Sequence, residues 1–500
     1  HMLAAAATQA PQREALLCQG ERLTYAEYQR CVAWFAHELI GLGAGGQRIG
    51  IVLGNSIDIC IALFGVHAAR AQATPANPQY TERELRMIFE DADLHVVIYA
   101  QEQRELVETI ADELKIPHRI CIGSEGRRLT EWRTAADREL PPLPRADELA
   151  TLQFTGGTTG RSKGVNLTHG AVAINIGQRE ALLPARKDCE RLLCVMPLFH
   201  VYAVAMCLHN MVYARGTLII VPRYSTQVVF DLLVQEHITI FAGAPTLFAG
   251  LLAAEDFDKV DFSNLNLSYS GSSALPKGLL RRWEEATGAP VMEGYGQSEA
   301  GPVVTFNPLR GTRKAGSVGV AVPDTEVEIV DLEQGKHVLA AGEIGEIRLR
   351  GPQLMRDYRN LPEETAITLR DGWLYTGDIG EFDTDGYLYI RDRKKEMAKV
   401  SGYNVFPREI EDVLYLHPAV QEAAVIAVPD AYRGEVVQAF VMLRAQHSAT
   451  EQELGEHCKA NLTKYKLPAQ ISVVPELPKT GVGKIDKNRL RADSMNEAGG

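Results

Sequence analysis

A glycine-rich stretch between residues 155 and 164 has the residue types that phosphate binding requires. It reads Thr-Gly-Gly-Thr-Thr-Gly-Arg-Ser-Lys-Gly and follows a short apolar run, 149–154. Glycines let backbone N–H groups turn toward a ligand, hydroxyl groups add donors, and a lysine adds positive charge. The Walker A loop requires Gly-Lys-Ser/Thr in succession, whereas Lys163 follows Ser162 and precedes Gly164. The stretch therefore indicates phosphate chemistry outside the P-loop class, with a flexible surface loop as the alternative.

Composition describes a globular chain and excludes several functional classes. The 500 residues are 46% hydrophobic and 23% charged, which is typical of globular proteins and too long for one ordinary core. The formal net charge of −12 argues against a general nucleic-acid binder. The eight cysteines include no Cys-x-x-Cys pair, so we expect a reducing cytoplasm and neither a zinc ribbon nor a disulfide scaffold. No apolar run approaches the ~18 residues of a membrane span, so no integral membrane segment is expected.

Apolar strands alternate with helices along most of the chain. Helices are predicted from Thr24, over 57–71 and from Thr81, the last with Glu84 as its capping-box partner, and buried strands at 49–53 and 95–99. Further predicted strands end in small or polar residues: 191–196, 217–221, 237–242 and 267–270. The alternation predicts a largely parallel sheet covered on both faces, in which ligands collect beyond the carboxyl ends of the strands.

The sequence pattern changes twice toward the C terminus. Beyond Pro323, short alternating strands separated by Asp-Gly turns predict a β subdomain. The charge run 392–397 precedes a new mixture of helices and strands. We therefore expect an α/β protein with a large N-terminal domain, residues 3–394, of mixed, mainly parallel sheets with helices plus the β subdomain. A small, mobile α+β C-terminal domain, residues 395–500, is expected to follow; a solvated turn inside one domain is the alternative.

Six short motifs occur in one order along the chain. They are Thr155–Gly164, Tyr295-Gly-Gln-Ser-Glu299, Tyr375-Thr-Gly-Asp378, Asp392-Arg393, Ser401–Pro407 and Pro478–Ile485. Together they resemble the adenylate-forming superfamily, which comprises acyl-CoA synthetases, peptide-synthetase adenylation domains and firefly-type luciferases. The resemblance covers roughly residues 15–490. Residues 392–407 and 196–201 are most similar to the branch of fatty-acid and coumarate CoA ligases.

The resemblance implies a ligase that works in two steps. A carboxylate first attacks the α-phosphorus of ATP, which expels pyrophosphate and leaves an acyl-adenylate. The thiol of coenzyme A then attacks that mixed anhydride and AMP leaves. ATP, Mg²⁺ and coenzyme A are the implied cofactors, and a small-molecule carboxylic acid is the implied substrate. The alternatives are transfer to a carrier protein's phosphopantetheine, a luciferase-like oxidation, and a non-catalytic nucleotide-binding module.

Roles at the phosphates follow from the same resemblance. Ser298 is expected to touch phosphate, although relatives more often have Thr at this position, and Glu299 is expected to help hold Mg²⁺. The residues expected to cradle the β- and γ-phosphates are Thr155, Gly156, Gly157, Thr158, Thr159 and Lys163.

The nucleoside is expected to lie against two other motifs. The resemblance implies that Tyr295 stacks on adenine, with Gly294 and Gly296 allowing close approach. It implies that Asp378 accepts the ribose hydroxyl protons, because an ionised carboxylate can accept both. Arg393 is expected to reach the ribose or the α-phosphate. In isolation each of these motifs would be an ordinary turn.

Three further roles concern the small domain. Lys484, in a loop bracketed by glycines, is the expected adenylation lysine, since a compact ammonium suits contact with both the carboxylate and the α-phosphate. Lys395 lies where relatives have their hinge. A rotation there is expected to withdraw Lys484 after adenylation and to bring Ser401 and Gly402 up to shape the tunnel for the pantetheine thiol.

The acyl pocket is the least determined part of the site. His200 is expected to pack against the carboxylate end, with a structural histidine as the alternative. The residues expected to line the pocket are His200, Tyr202, Ala244, Ser270, Gly271, Ser272 and Gly294. The small residues Gly243, Ala244 and Gly271 are expected to leave room for a chain or ring. This set contains no Arg or Lys, so the second charge of a dicarboxylate would be left unpaired. We therefore expect an apolar monocarboxylic acid: a fatty acid, or a cyclic or aromatic acid.

Overall fold

The structure is a computed structural model that describes residues 2–123, 127–155, 162–271, 273–430, 432–480 and 484–498. Five residues with an expected role lie outside the described residues: Gly156, Gly157, Thr158, Thr159 and Ser272. Their roles stay predictions.

The helices of the described residues are distributed over the whole chain. In chain order they are α1 (Met2–Gln9), α2 (Tyr25–Gly41), α3 (Ile57–Ala68), α4 (Glu82–Ala92), α5 (Arg104–Glu113), α6 (His169–Leu182), α7 (Val201–Ala203), α8 (Asn210–Ala214), α9 (Thr226–Gln235), α10 (Pro245–Leu252), α11 (Lys277–Thr287), α12 (Pro362–Thr368), α13 (Pro407–Tyr415), α14 (Glu451–Asn461) and α15 (Lys487–Ala498). A π-helical segment, Val204–His209, joins α7 to α8.

The strands form two large and two small sheets. In chain order they are β1 (Glu14–Cys18), β2 (Glu21–Thr24), β3 (Arg48–Val52), β4 (Gln72–Pro75), β5 (Val96–Ala100), β6 (His118–Ile122), β7 (Leu149–Thr155), β8 (Lys163–Thr168), β9 (Arg191–Cys194), β10 (Thr217–Ile220), β11 (Ile240–Gly243), β12 (Leu267–Ser270), β13 (Val291–Gly296), β14 (Val303–Phe306), β15 (Val320–Ala321), β16 (Glu326–Val330), β17 (Gly345–Arg350), β18 (Asp357–Tyr358), β19 (Leu369–Arg370), β20 (Trp373–Phe382), β21 (Leu388–Arg393), β22 (Ala398–Val400), β23 (Tyr403–Val405), β24 (Val420–Asp430), β25 (Gly434–Leu443) and β26 (Gln470–Val473).

The two large sheets are mainly parallel, and antiparallel strands lie at both edges of the first sheet and at one edge of the second. One runs β15-β14-β13-β12-β11-β9-β10-β1-β2, and its strands from β13 to β1 are parallel. The other runs β18-β8-β7-β4-β3-β5-β6, and its strands from β7 to β6 are parallel. Helices α2 and α3 contribute to the largest apolar core, which includes inward-facing residues of both sheets. This arrangement confirms the predicted mixed, mainly parallel sheets with covering helices.

The two small sheets match the expected β subdomain and α+β region. Strands β16, β17, β19, β20 and β21 form an antiparallel sheet. Strands β22 to β26 form the last sheet, whose core includes residues of α13 and α14. The exact boundary between residues 394 and 395 stays a prediction.

Local signals in the sequence fix several helix starts. The Thr81 hydroxyl accepts from the Glu84 N–H while the Glu84 carboxylate accepts from the Thr81 N–H, which confirms the predicted capping box of α4. Thr24 and Glu27 make the same reciprocal pair at α2.

Two predicted elements have different bounds. The expected strand 237–242 begins only at Ile240, because His237 has a left-handed backbone (φ 46°) just after α9. The apolar run from Ile57 is helical only to Ala68; Arg70 (φ 56°) then turns the chain. The residues that follow form the unpredicted strand β4 in the middle of a sheet.

No helix within the described residues has the length and apolar character needed to cross a membrane.

Candidate active site

Asp378 lies at the centre of a buried polar group where the β subdomain meets the first large sheet. The hydroxyl of Tyr295, at the end of β13, donates to Asp378 Oδ2 at 2.5 Å. Arg393 Nε lies 3.1 Å from Asp378 Oδ1, and β20 and β21 place the two residues opposite each other. Asp378 is only 3% exposed, so these two partners supply hydrogen bonds to its carboxylate that water does not. The structure thus brings together the three residues expected at the nucleoside.

Lys484 reaches the same group from the C-terminal region. Its N–H donates to Thr480 Oγ1 at 3.2 Å, and its carbonyl accepts from the Thr480 N–H at 2.7 Å, so two hydrogen bonds to Thr480 hold its backbone. Loss of hydration and, to a smaller extent, the positive charge of Arg393 lower the pKa of Lys484 to about 8, against the opposing charge of Asp378. The ammonium is therefore close to the residues expected to hold the ribose and the α-phosphate.

His200 is a neutral donor facing Lys484. Its Nδ1 accepts from the Tyr202 N–H at 3.2 Å and so caps α7. Burial lowers its pKa to about 3, with a further contribution from the charge of Lys484. Because Nδ1 is an acceptor, the neutral ring carries its proton on Nε2. That N–H can donate to a carboxylate that also contacts Lys484, which fits the expected role at the carboxylate end.

A second polar group forms the end of the site expected to hold phosphate. Glu299, in a short 3₁₀ segment that begins at Ser298, is 9% exposed and accepts from the Tyr358 hydroxyl at 2.8 Å. Lys163, the first residue of β8, forms an ion pair with Glu364 of α12, and its Nζ lies 5.0 Å from the centroid of the Tyr358 ring. Tyr358 therefore lies between the expected phosphate lysine and the expected magnesium ligand.

The glycine-rich stretch joins two paired strands. Thr155 ends β7 and is paired in register with Lys163, and the Thr155 hydroxyl lies 3.5 Å from the Lys163 carbonyl oxygen. Both ends of the stretch are thus held in a rigid sheet beside Tyr358.

The donor set around Glu299 fits a magnesium ion that arrives with ATP. Within the described residues, no three His, Cys, Asp or Glu side chains are grouped to hold a metal ion by themselves. Mg²⁺ at nucleotide sites usually takes one or two protein carboxylates and completes its shell with phosphate oxygens and water. A single carboxylate next to the phosphate lysine meets this requirement.

Two expected nucleotide-binding glycines have a packing role inside the protein. A Cβ on Gly294 would lie 2.5 Å from the Phe306 ring, and one on Gly296 would overlap the Pro302 carbonyl oxygen. Both glycines are needed so that β14 can pair closely with β13. Their predicted contact with adenine stays a prediction.

The acyl wall differs from expectation at Gly271. This glycine was expected to leave room for a chain or ring, but the Tyr202 ring fills the space that its Cβ would occupy. The Tyr202 hydroxyl lies 3.4 Å from the Tyr269 carbonyl oxygen, a long hydrogen bond. Ala244, which precedes α10, is buried. The Ser270 hydroxyl is also buried and forms no hydrogen bond with the described residues. The pocket past Gly271 is therefore narrowed by Tyr202.

Three residues of the expected site lie at its edge or outside it. Lys395 is near the nucleoside group: incomplete hydration and the charge of Arg393 lower its pKa to about 8, while Asp378 raises it. Ser401 and Gly402 form an exposed turn between β22 and β23, with φ of 51° and 85°, and the Ser401 N–H donates to the Arg433 carbonyl. In the described part of the chain, no hydrogen bond of Ser401 or Gly402 reaches the nucleoside group.

Sequence reasoning missed Tyr358, Glu364 and Arg179. No motif marked Tyr358 or Glu364. Arg179 is fully buried on α6, in register with the buried Ala171 and Asn175 at helical spacing; that stripe was the available signal. Its side chain interacts with Tyr269, two residues before the expected wall residue Gly271. No arginine was expected in this part of the protein.

Comparison with known proteins agrees with this geometry. The chain matches the family model "AMP-binding enzyme" over residues 3–359 and "AMP-binding enzyme C-terminal domain" over residues 409–484. It is 35% identical to a long-chain-fatty-acid–CoA ligase of Bacillus subtilis, with 98% of this chain and 93% of that protein covered.

Two solved structures have the same architecture over nearly their whole length. ATP-bound MatB from Rhodopseudomonas palustris superposes with a TM-score of 0.92 at 30% identity, covering 99% of each chain. The anthranilate CoA ligase AuaEII in complex with anthranoyl-AMP superposes with a TM-score of 0.93 at 29% identity, covering 99% of this chain and 97% of that one. This chain therefore belongs to the AMP-binding enzyme family, the adenylate-forming enzymes, in the branch of the fatty-acid CoA ligases.

Proposed function

We propose that this chain ligates an apolar monocarboxylic acid, a fatty acid or a cyclic or aromatic acid, to coenzyme A. The reaction converts acid, ATP and CoA to acyl-CoA, AMP and pyrophosphate through an acyl-adenylate. The observation that carries the proposal is the position of Lys484 between His200 and the Asp378–Arg393 pair. A simple nucleotide-binding module would have no need of a lysine between the nucleoside group and an acid-binding histidine.

Each group has a task in the first step. Negative charge on the α-phosphate and the entering carboxylate develops where Lys484 and Arg393 lie, and fixed positive charge there lowers the barrier. The His200 Nε2–H orients the acid by donating to its second oxygen. Asp378 accepts hydrogen bonds from the ribose hydroxyls. Lys163 exchanges its ion pair with Glu364 for contact with the β- and γ-phosphates. Glu299 would hold the Mg²⁺ that arrives with ATP, and the ion would supply positive charge that stabilises the departing pyrophosphate.

The second step needs a different arrangement of the small domain. Lys484 and the Ser401–Gly402 turn belong to the same C-terminal region. A rotation of this region at Lys395 therefore moves Lys484 out of the site and moves the Ser401–Gly402 turn into it. The turn is exposed, and its left-handed backbone at residue 402 favours glycine. These features support the proposed tunnel for the pantetheine thiol. The eight cysteines lack the pattern of a disulfide scaffold, which supports a cytoplasmic location.

The choice of acid rests on the pocket wall and on the relatives. The described wall residues, including Tyr202, Ala244 and Gly271, present no charge. The Bacillus subtilis relative is named a long-chain-fatty-acid–CoA ligase, and AuaEII is named for an aromatic acid. These names and the uncharged wall favour an apolar acid over a dicarboxylate.

The test is product formation across a panel of acids. The purified chain is given ATP, Mg²⁺ and CoA with straight-chain acids from acetate to palmitate, benzoate, cyclohexanecarboxylate and malonate. We expect pyrophosphate and acyl-CoA in equal amounts with apolar acids and little product with malonate. Pyrophosphate without acyl-CoA would indicate transfer to a carrier protein. Absence of both products with every acid would contradict the proposal.

A further inference from the structure

Arg179 is a buried cation with unused hydrogen-bond donors. It is 1% exposed, and its Nε and Nη1 form no hydrogen bond with any residue that the structure describes. Its Nη2 donates to Asn210 Oδ1 at 2.9 Å and also pairs with the carboxylate of Glu180. Burying the N–H groups of a guanidinium without acceptors costs free energy. A ligand that supplies an acceptor to these N–H groups would recover part of that cost.

The position of Arg179 relates it to the acyl wall. Tyr269 lies in β12, and Gly271 directly follows Ser270, the last residue of that strand, so the two residues are about 7 Å apart along the chain. The Tyr269 side chain interacts with both Asn210 and Arg179. The cluster of Arg179, Asn210 and Tyr269 therefore lies at β12, just before Gly271 along the chain.

Tyr202 separates this cluster from the acyl wall. Its ring fills the space beside Gly271, and its hydroxyl reaches back to the Tyr269 carbonyl. Because that hydrogen bond is long, at 3.4 Å, the hydroxyl of Tyr202 is held only weakly in this position, although its ring is buried in the core. A chain that passes Gly271 along the sheet then meets the free N–H groups of Arg179.

The charge of the cluster selects the kind of group that fits. Glu180 already balances the guanidinium, so a second carboxylate would leave one negative charge uncompensated in a buried place. A neutral oxygen instead satisfies a free N–H without adding charge. A wholly apolar chain leaves both donors unsatisfied.

We propose that Arg179 is a specificity residue that recognises a neutral hydrogen-bond acceptor, a ketone or hydroxyl oxygen, at the far end of the acid's carbon chain. This inference rests on the proposed function, because it names the substrate class of the same acyl pocket. The acid keeps an apolar body and one carboxylate.

The experiment compares acids matched in length. Acyl-CoA formation is measured with hexanoate against 5-oxohexanoate, octanoate against 7-oxooctanoate, and octanoate against suberate, a dicarboxylate. For at least one pair we expect kcat/KM of the oxo acid to exceed that of the plain acid by about tenfold, mainly through KM. We expect suberate to be a poor substrate. A ratio near one for both oxo pairs, or a preference for suberate, would overturn the inference.

Variants assign the preference to the guanidinium. Arg179→Met should bring the oxo-to-plain ratio to about one while kcat/KM for the plain acid stays within about threefold. The double variant Arg179→Met/Glu180→Gln keeps the charge balanced if the single variant folds poorly. Arg145→Met removes an exposed arginine and should leave the ratio unchanged. An unchanged ratio in both Arg179 variants also overturns the inference.

The two levels of the account fail differently. Turnover of plain acids with no effect of the distal oxygen contradicts only the role of Arg179. Absence of acyl-CoA with every acid contradicts the proposed function itself.

Discussion

The hydroxyl of Tyr295 donates a 2.5 Å hydrogen bond to the buried carboxylate of Asp378. This bond links the end of β13 to β20 and orients one carboxylate oxygen, while Arg393 holds the other. In the proposed role of Asp378, a carboxylate positioned in this way can accept hydrogen bonds from the ribose hydroxyls without first reorganising.

Tyr295→Phe should therefore weaken ATP binding. Loss of one hydrogen bond to a buried carboxylate is worth about 1–3 kcal/mol, so we expect KM for ATP to rise by about five- to a hundredfold with a smaller effect on kcat. Steady-state kinetics with varied ATP measure this. Tyr375→Phe is the matched control, because the Tyr375 hydroxyl, on the same strand as Asp378, donates to the Gly335 carbonyl. An equal KM effect in both variants would show a general loss of folding.

The pH dependence of adenylation should report Lys484. Its ammonium form is present below its lowered pKa of about 8 and is lost as the pH rises through that value. Since His200 is neutral throughout, with a pKa of about 3, we expect kcat/KM for ATP to be level between about pH 6 and about pH 7.5 and then to fall about tenfold per pH unit.

Lys395 has a similar pKa of about 8, so two variants separate the lysines. Arginine stays protonated over this range. Lys484→Arg should lower the rate and remove the decline at high pH, whereas Lys395→Arg should keep it. A decline that persists in Lys484→Arg and disappears in Lys395→Arg would assign the titration to the hinge.

Glu364 should compete with ATP for Lys163. The two side chains form an ion pair, and Glu364 is partly exposed. An exposed pair of this kind is worth about 1 kcal/mol or less, so Glu364→Ala should lower KM for ATP by about two- to fivefold. Glu363→Ala on the same helix is the control. A higher KM in Glu364→Ala alone would mean that Glu364 supports the phosphate site instead.

Gly296 should be intolerant of any side chain. A Cβ there would overlap the Pro302 carbonyl, so Gly296→Ala must displace backbone and should lower the free energy of unfolding by about 1–3 kcal/mol. Gly278→Ala, in α11 with nothing near its Cβ, should be neutral or slightly stabilising. Urea unfolding midpoints compare the two variants. Equal midpoints would contradict the packing role of Gly296.

The sequence predicted the architecture well because local rules and periodicity decide it. The Thr81–Glu84 capping box and the apolar strands are patterns within a few residues, and both occur as expected. Strand β4 was missed because its turn depends on the left-handed backbone of Arg70, a residue type that rarely adopts it.

The site was predictable only where a motif marked it. Motifs named Asp378, Arg393 and Lys484, and the structure places them together. Packing across distant elements, such as Tyr202 on Gly271 or Gly294 on Phe306, leaves no mark in a single sequence. Arg179 shows the same limit, since its partner Asn210 is on a different helix.

The division of labour between the two half-reactions tests the central claim most directly. Acyl-AMP formation from acid and ATP, and conversion of preformed acyl-AMP with CoA, are measured separately for the wild type, Lys484→Ala and the control Lys479→Ala, whose lysine pairs with Glu422. We predict that Lys484→Ala loses acyl-AMP formation by at least about a hundredfold and keeps conversion of acyl-AMP near the wild-type rate, while Lys479→Ala keeps both. Equal loss of both half-reactions in Lys484→Ala, or undiminished acyl-AMP formation, would contradict the role assigned to Lys484.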